Sequence, residues 1–353
     1  MNILHNPKYK DDIVRIASLP YDWSYFKDKS IMITGATGMI FSLFIDVLMY
    51  KNKNEDLNCV IYPVSRNKEK LESRFPDYMG NATFIPVIMD IGKDFFLPDD
   101  LKLDYFIHGA SNTHPLAYSS DPIGTITTNI VVLEKLLSAL SETALKRFVF
   151  LSSVEIYGEN KGDTDKFSED YCGYIDCNTM RAGYPESKRC GEALCQAYIK
   201  QKGMDIVIPR LSRVYGPTML SSDTKAISQF IKNGVSKNDI VLKSKGDQLY
   251  SYSYAADAAS GVFYVMINGG CGEAYNICDP SSDITLRDLA GLIAEHAGTN
   301  VVFDLPDATE KAGYSTATKA TLDPSKLLSL GWKPLFPIKD ALPRTIDILE
   351  ENI

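Results

Sequence analysis

The chain is short of several things, and each shortage narrows the field. Basic residues do not prevail: 37 Lys and Arg stand against 45 Asp and Glu, a formal charge of −8. No basic patch emerges, which argues against a nucleic-acid partner. No uninterrupted apolar run approaches membrane-spanning length, so no membrane partner is expected. No signal-peptide core fits among Lys8, Lys10, Asp11, Asp12, Arg15, Asp22, Lys27, Asp28 and Lys29. Only four histidines occur, scattered at 5, 108, 114 and 296. The seven cysteines show no Cys-x-x-Cys pair and no even framework. A metal site is therefore not expected, and the cysteines read as small apolar fillers in a reducing, cytoplasmic protein.

Hydrophobic residues make up 45% and charged residues 23% of the 353 positions, enough for a sizeable core. The stretch Ser30-Ile-Met-Ile-Thr-Gly35-Ala-Thr-Gly38-Met-Ile-Phe41 runs three apolar residues into a glycine-bearing turn. Ile40, Leu43, Phe44, Val47 and Leu48 then recur at helical spacing. A strand, a tight turn and a helix follow from that order. Gly35 and Gly38 let backbone approach a ligand, and the first helical turn presents free N–H groups to a phosphate. A dinucleotide pyrophosphate suits such a turn.

From Ile31 onward strands and helices alternate. Strands are expected at 31–33, 59–64, 83–89, 105–108, 148–151 and 206–209, with helices at 40–50, 129–141 and 187–201. That alternation implies an α/β fold, a Rossmann-type doubly wound parallel sheet. Residues 1–29 read as an N-terminal extension, with Ile13, Ile16 and Leu19 suggesting a short outer helix. Residues 30–209 form the dinucleotide-binding domain. Residues 210–353, with denser Pro and Gly punctuation, form a smaller substrate lobe, part of 238–268 returning to the core. Thr285 to Asp288 reads as a capped helix start and Gly298 as its stop.

Two further stretches carry chemistry. Tyr184 and Lys188 lie four apart, on one face of a helix. A tyrosine ionises near pH ~10, and a neighbouring ammonium would bring its proton into use. Ser152-Ser153-Val154-Glu155-Ile156-Tyr157-Gly158 follows a strand, at its functional C-terminal edge. A hydroxyl there can hold the oxygen that Tyr184 protonates.

Together these motifs resemble the extended short-chain dehydrogenase/reductase family of nucleotide-sugar epimerases, dehydratases, decarboxylases and reductases. The resemblance spans nearly the whole chain. It takes in Thr34-Gly35-x-x-Gly38, Asp90-Ile91, His108-Gly-Ala110-Ser111, Thr128-Asn129, Ser153, the Tyr184/Lys188 pair and Arg210 to Tyr215-Gly216-Pro217. It continues to Leu330-Gly331-Trp332-Lys333-Pro334, and the middle of the chain is most similar to the UDP-glucuronate decarboxylase branch. The resemblance implies Tyr184 as acid/base, Lys188 tuning it and holding the nicotinamide ribose, Ser153 orienting the oxygen, and Glu155 as a further catalytic contact. It implies a dinucleotide held by Gly35, Thr37, Gly38, Met39, Ile40, Ser65, Arg66, Asp90, Ile91, Ala110 and Ser111. Arg213, Tyr250 and His114 are the implied substrate contacts, and a homodimer the implied assembly.

Four departures refine this. Phe41 stands where a third glycine permits close helix–strand packing. Ser65-Arg66 replaces the acid that NAD-specific relatives place on the ribose 2′-OH, which favours NADP(H) over NAD(H). Val154 replaces an Asp of the dehydratases. Arg213 replaces an Asn and Tyr250 an Arg around the substrate diphosphate, and Arg213 offers a fork for that group. Tyr250, Tyr252 and Tyr254 alternate as strand residues do. The expected reaction is NADPH-dependent reduction of a keto group on a nucleotide-activated sugar, with a CDP-linked ketose reduced to a CDP-alditol as one form. Epimerisation, 4,6-dehydration or decarboxylation with tightly bound NAD is the alternative.

Overall fold

The computed structural model describes residues 2–93, 95–97, 101–111, 120–304 and 317–352. His114 lies outside them. Fourteen strands are found among these residues: β1 Ser30–Thr34, β2 Val60–Ser65, β3 Val87–Ile88, β4 Tyr105–His108, β5 Arg147–Phe150, β6 Ser152–Ser153, β7 Ile206–Leu211, β8 Arg213–Tyr215, β9 Ile240–Leu242, β10 Leu249–Tyr254, β11 Ala274–Ile277, β12 Asp283–Thr285, β13 Val301–Phe303 and β14 Lys319–Ala320. The helices are α1 Pro7–Ala17, α2 Met39–Glu55, α3 Lys68–Arg74, α4 Pro122–Ser141, α5 Gly183–Lys202, α6 Ala226–Val235, α7 Ala255–Asn268, α8 Leu286–Ala297, α9 Ser325–Leu330 and α10 Ile338–Glu350.

The main sheet runs β11-β7-β5-β4-β1-β2-β3, with β6 also on β7, and all its pairs are parallel. The order reverses between β1 and β4, so their C-terminal ends open a crevice where ligands of such sheets bind. The expected strand at 83–89 shrinks to β3, its start surviving as an Ile61–Phe84 bridge. Exposed Ile85 and Ile88 mark it as an edge.

The lobe boundary expected at 209 falls inside β7, which continues to Leu211. The returning segment is also longer than 238–268: α7 lies against α2, and β11 pairs with β7 over Ala274–Ile277. The second lobe keeps the small sheet β12-β10-β14, with β8 also on β10, and the pair β9–β13. Thr285 caps α8 through the Asp288 N–H, and Gly298 ends it in the left-handed region.

Helix α1 is tied into both lobes. The buried Tyr9 hydroxyl donates to Asp46 of α2 at 2.6 Å. Asp12, fully buried, accepts from Arg344 of α10 at 2.7 Å and from the Tyr254 hydroxyl at 2.5 Å. Phe44 of α2 stacks on Phe263 of α7, ring centres 3.6 Å apart. Helix α4 is the one described helix long and apolar enough to cross a membrane. It carries Glu134 and Lys135, and its Leu133, Leu136, Leu137 and Leu140 are buried in the core. Of the cysteines, 59, 195 and 278 are buried as fillers, but 172, 177, 190 and 271 are exposed, so that reading fails for four of seven.

Candidate active site

Gly35 takes φ +72°, and a Cβ there would meet the Gly109 carbonyl group at 2.8 Å. The turn after β1 therefore presses on the turn after β4, and glycine is required at 35. Gly38 caps α2 without a side-chain hydrogen bond, leaving the first-turn N–H groups to a ligand. The Thr34 hydroxyl oxygen accepts from the Gly109 and Ala110 N–H groups, each at 3.2 Å, locking the two strand ends together.

Phe41 resolves here. Its ring lies over Gly109, where an added Cβ would meet Phe41 Cε2 at 2.0 Å. The space that a glycine on the helix usually supplies is supplied by a glycine on the facing loop. Phe41 is 2% exposed and packs edge-on to Phe44, ring centres 6.0 Å apart.

One cleft of about 1130 Å³ extends from this turn to the second lobe. It gathers Gly35, Thr37, Gly38, Met39, Ile40, Ser65, Arg66, Asp90, Ile91, Ala110 and Ser111 with Ser153, Glu155, Tyr184, Lys188, Arg213 and Tyr250. The glycine cradle and free first-turn donors fit a dinucleotide. The Ser65 hydroxyl, expected with Arg66 to suit a 2′-phosphate, turns into its own loop, donating to the Asn67 carbonyl at 2.9 Å and accepting from its N–H at 3.2 Å. Arg66 and Lys70 line that end of the cleft with no acid beside them on β2.

Tyr184 enters in the first turn of α5 and is buried. Burial pushes its phenol well above the usual tyrosine value; the Ser153 hydroxyl, hydrogen-bonded to it, pulls the other way, and Glu155 adds to the rise. Lys188 donates to the Leu151 carbonyl at 2.8 Å, its ammonium 4.8 Å from the Phe150 ring centre. Burial lowers Lys188 to about 8. In this state the lysine is committed to the Leu151 carbonyl and to the Phe150 ring. The expected lowering by Lys188 is not among the causes acting on Tyr184.

The scaffold behind the pair is polar and paired. Ser111 donates to Asn129 at 2.7 Å, Asn129 to the Ser187 hydroxyl at 2.8 Å, and Ser187 to the Tyr184 carbonyl at 2.8 Å. Arg210 makes two bonds to Glu192, at 3.0 and 2.7 Å, and Ser152 donates to the same carboxylate at 2.5 Å. Arg210 also donates to the Tyr157 hydroxyl at 2.8 Å, which donates to Asn276 at 2.8 Å. An ion pair largely removed from water holds only when its remaining groups are satisfied, and this half-buried pair has such partners. It fixes β6, and with it Ser153, against α5.

Across the cleft, Arg213 lies flat on Tyr250, 3.6 Å from the ring centre. Its Nη2 is 3.8 Å from Glu155, whose other oxygen is 3.7 Å from Arg181. Arg213 thus shares the end of the cleft that holds Glu155 and Arg181, and its buried Nη1 has no hydrogen-bond partner there. Tyr250 is partly wall, its hydroxyl donating to the Ala317 carbonyl at 2.6 Å. Arg181 and Lys70 went unread in the sequence as site residues. Arg181 stands three residues before Tyr184, and Lys70 stands one helical turn past Arg66.

Residues 31–278 match the NAD dependent epimerase/dehydratase family. The chain belongs to that family. Curated relatives include UDP-glucuronic acid decarboxylase 1 of Xenopus tropicalis, 26% identical over 325 residues covering 92% of this chain and 73% of the relative. UDP-glucuronic acid decarboxylase 1 of Arabidopsis thaliana is 28% identical over 327 residues, covering 92% and 70%. Among solved structures, the NAD-bound dTDP-glucose 4,6-dehydratase of Streptomyces venezuelae aligns with a TM-score of 0.78 at 23% identity, covering 92% of this chain and 97% of that one. The UDP-glucuronic acid 4-epimerase of Bacillus cereus, solved with NAD, aligns at 0.76 and 23%, covering 92% and 100%. Family membership makes the protein an extended short-chain dehydrogenase/reductase enzyme of the nucleotide-sugar epimerase/dehydratase group, which is NAD-dependent.

Proposed function

We propose that the protein converts a nucleotide-linked sugar by transient oxidation at the sugar ring, keeping its dinucleotide through the cycle. One observation carries this reading: Tyr184, hydrogen-bonded to Ser153, sits in the same cleft as the glycine turn and the Arg213–Tyr250 wall. The bound dinucleotide supplies reversible hydride acceptance. Ser153 holds the sugar hydroxyl oxygen. Tyr184 moves the proton at that oxygen, and Lys188, once drawn from the Leu151 carbonyl, supplies the charge that stabilises the tyrosinate. Glu155 is the second proton-transfer group, with Arg181 and Arg213 fixing its carboxylate. The oxidised sugar then undergoes epimerisation, elimination or decarboxylation, and the hydride returns. The relatives' names favour this cycle over the net reduction expected from the sequence, which included CDP-ketose to CDP-alditol.

Net reduction with NADPH is the second reading. Its support is the β2 end, where Arg66 and Lys70 line the cleft and Ser65 replaces an acid, a pattern suited to a 2′-phosphate. Denaturing the purified protein and identifying the released nucleotide by mass spectrometry separates the two. The cycle predicts near-stoichiometric NAD. A protein that arrives empty, and then consumes NADPH with keto-sugar nucleotides, supports the second reading.

A further inference from the structure

The segment from Gly216 to Lys225 joins β8 to α6 and forms neither helix nor strand. It is nonetheless held at both ends. A Cβ at Gly216 would meet the Ala255 Cβ at 2.6 Å, so its start is packed tight on α7. Its far end is tied to α6: Gln229 Nε2 and Lys232 Nζ donate to the Asp223 carbonyl at 3.0 and 2.6 Å. The Asp223 carboxylate accepts from the Lys225 N–H at 2.9 Å and its ammonium at 3.1 Å. Two turns stiffen the middle, Met219 N–H to Gly216 at 3.1 Å and Asp223 N–H to Leu220 at 3.0 Å.

Between these anchors the segment crosses to the other lobe. Thr218, 9% exposed, donates its hydroxyl proton to the Met39 carbonyl at 2.7 Å. Met39 opens α2, the helix whose first-turn N–H groups would receive the pyrophosphate of a bound dinucleotide. The Met39 carbonyl also accepts from the Ser42 hydroxyl at 3.4 Å, so the Thr218 bond is the shorter of its two side-chain contacts. Met39, Ile40, Leu220 and Ser222 line the same cleft.

We propose that residues 216–225 form a strap over the pyrophosphate end of the dinucleotide, latched by the Thr218 hydroxyl. Thr218 is a positioning residue: it touches the helix, not the reacting atoms. Because both ends of the strap are fixed, the latch closes without ordering a free loop, and releasing the dinucleotide requires breaking it. This rests on the reading that the dinucleotide is retained.

The test uses the full chain loaded with NAD. Release is followed by capture of freed NAD with an excess of a dehydrogenase and its alcohol. Thr218→Val is expected to release NAD roughly tenfold faster, the size of one lost hydrogen bond. Thr218→Ser keeps the hydroxyl and is expected to release at the native rate. Thr218→Val also removes this bond from the dinucleotide-free protein, whose melting temperature should fall slightly, while the KM for sugar nucleotide should not move; native release in Thr218→Ser, which loses the methyl group but keeps the hydroxyl, separates a latch from a packing role. Thr218→Ala serves if the valine variant misfolds, with the same ordering required. Release from Thr218→Val within about twofold of native overturns the strap, as does equal acceleration in Thr218→Ser. A native protein that binds no dinucleotide removes the functional reading itself, seen before any variant is made, and the strap with it.

Discussion

Lys188 is the residue whose ionisation links folding to chemistry. Burial lowers it to about 8, against about 10.4 for a lysine in the unfolded chain. Between those values the unfolded chain holds more protons, so the Lys188 contribution to stability rises with pH across that window. Below it, keeping a charged ammonium buried costs the full amount. Lys188→Met is therefore expected to raise stability at pH 7 by on the order of 1–3 kcal/mol, with the gain shrinking as pH climbs toward ~10. Denaturation of both proteins across that range checks it, and a gain independent of pH would contradict it. The same variant should be nearly inactive. Tyr184→Phe leaves the burial intact and removes only the hydroxyl. It is expected to lose activity by about 10²–10⁴-fold while still binding dinucleotide, measured as turnover beside nucleotide content.

At the scale of elements, the turn between β1 and α2 is a three-part fit of Gly35, Phe41 and Gly109. Gly109→Ala drives a methyl group into the Phe41 ring and should destabilise the fold by roughly 1–3 kcal/mol. Adding Phe41→Ala relieves the clash, so the double variant should be less destabilised than the sum of the singles, a coupling read by thermal or urea unfolding. Additive losses would show that ring and glycine are not in contact. The sequence displayed Gly35, Gly38 and the anomalous Phe41, because a turn and a helix start are local. It could not display the compensation, since Gly109 lies 68 positions beyond Phe41 and meets it only across the sheet. The Tyr184/Lys188 spacing was legible for the same local reason, whereas the Lys188 bond to Leu151 and the turning away of the Ser65 hydroxyl depend on where the loops settle. The β7 boundary was misplaced because Pro209, though it cannot donate to a ladder, sits within β7 opposite Tyr275 of β11, with pairing continuing to Leu211.

At the scale of the molecule, the N-terminal helix is a joint. Through Tyr9 it reaches Asp46 of the dinucleotide lobe, and through Asp12 it reaches Arg344 and Tyr254 of the other. Removing residues 1–17 would leave buried Asp46 and Tyr254 and half-buried Arg344 short of partners, which is more costly than losing exposed contacts. The truncated chain is expected to melt well below the full chain or to fail to accumulate in soluble form, and an unchanged melting temperature would contradict that. The joint matters because the proposed chemistry needs both lobes in register: the dinucleotide turn on one side, Arg213 and Tyr250 on the other, Tyr184 between. The proposed chemistry runs oxidation and reduction within one bound cycle. It is tested most directly by incubating the purified protein with UDP-glucuronate, UDP-glucose and dTDP-glucose, adding no dinucleotide, and following the sugar signals by NMR. A closed cycle converts one of them over many turnovers with no net build-up of reduced nicotinamide. Turnover that appears only when NADPH is added, and consumes it one for one, would contradict it.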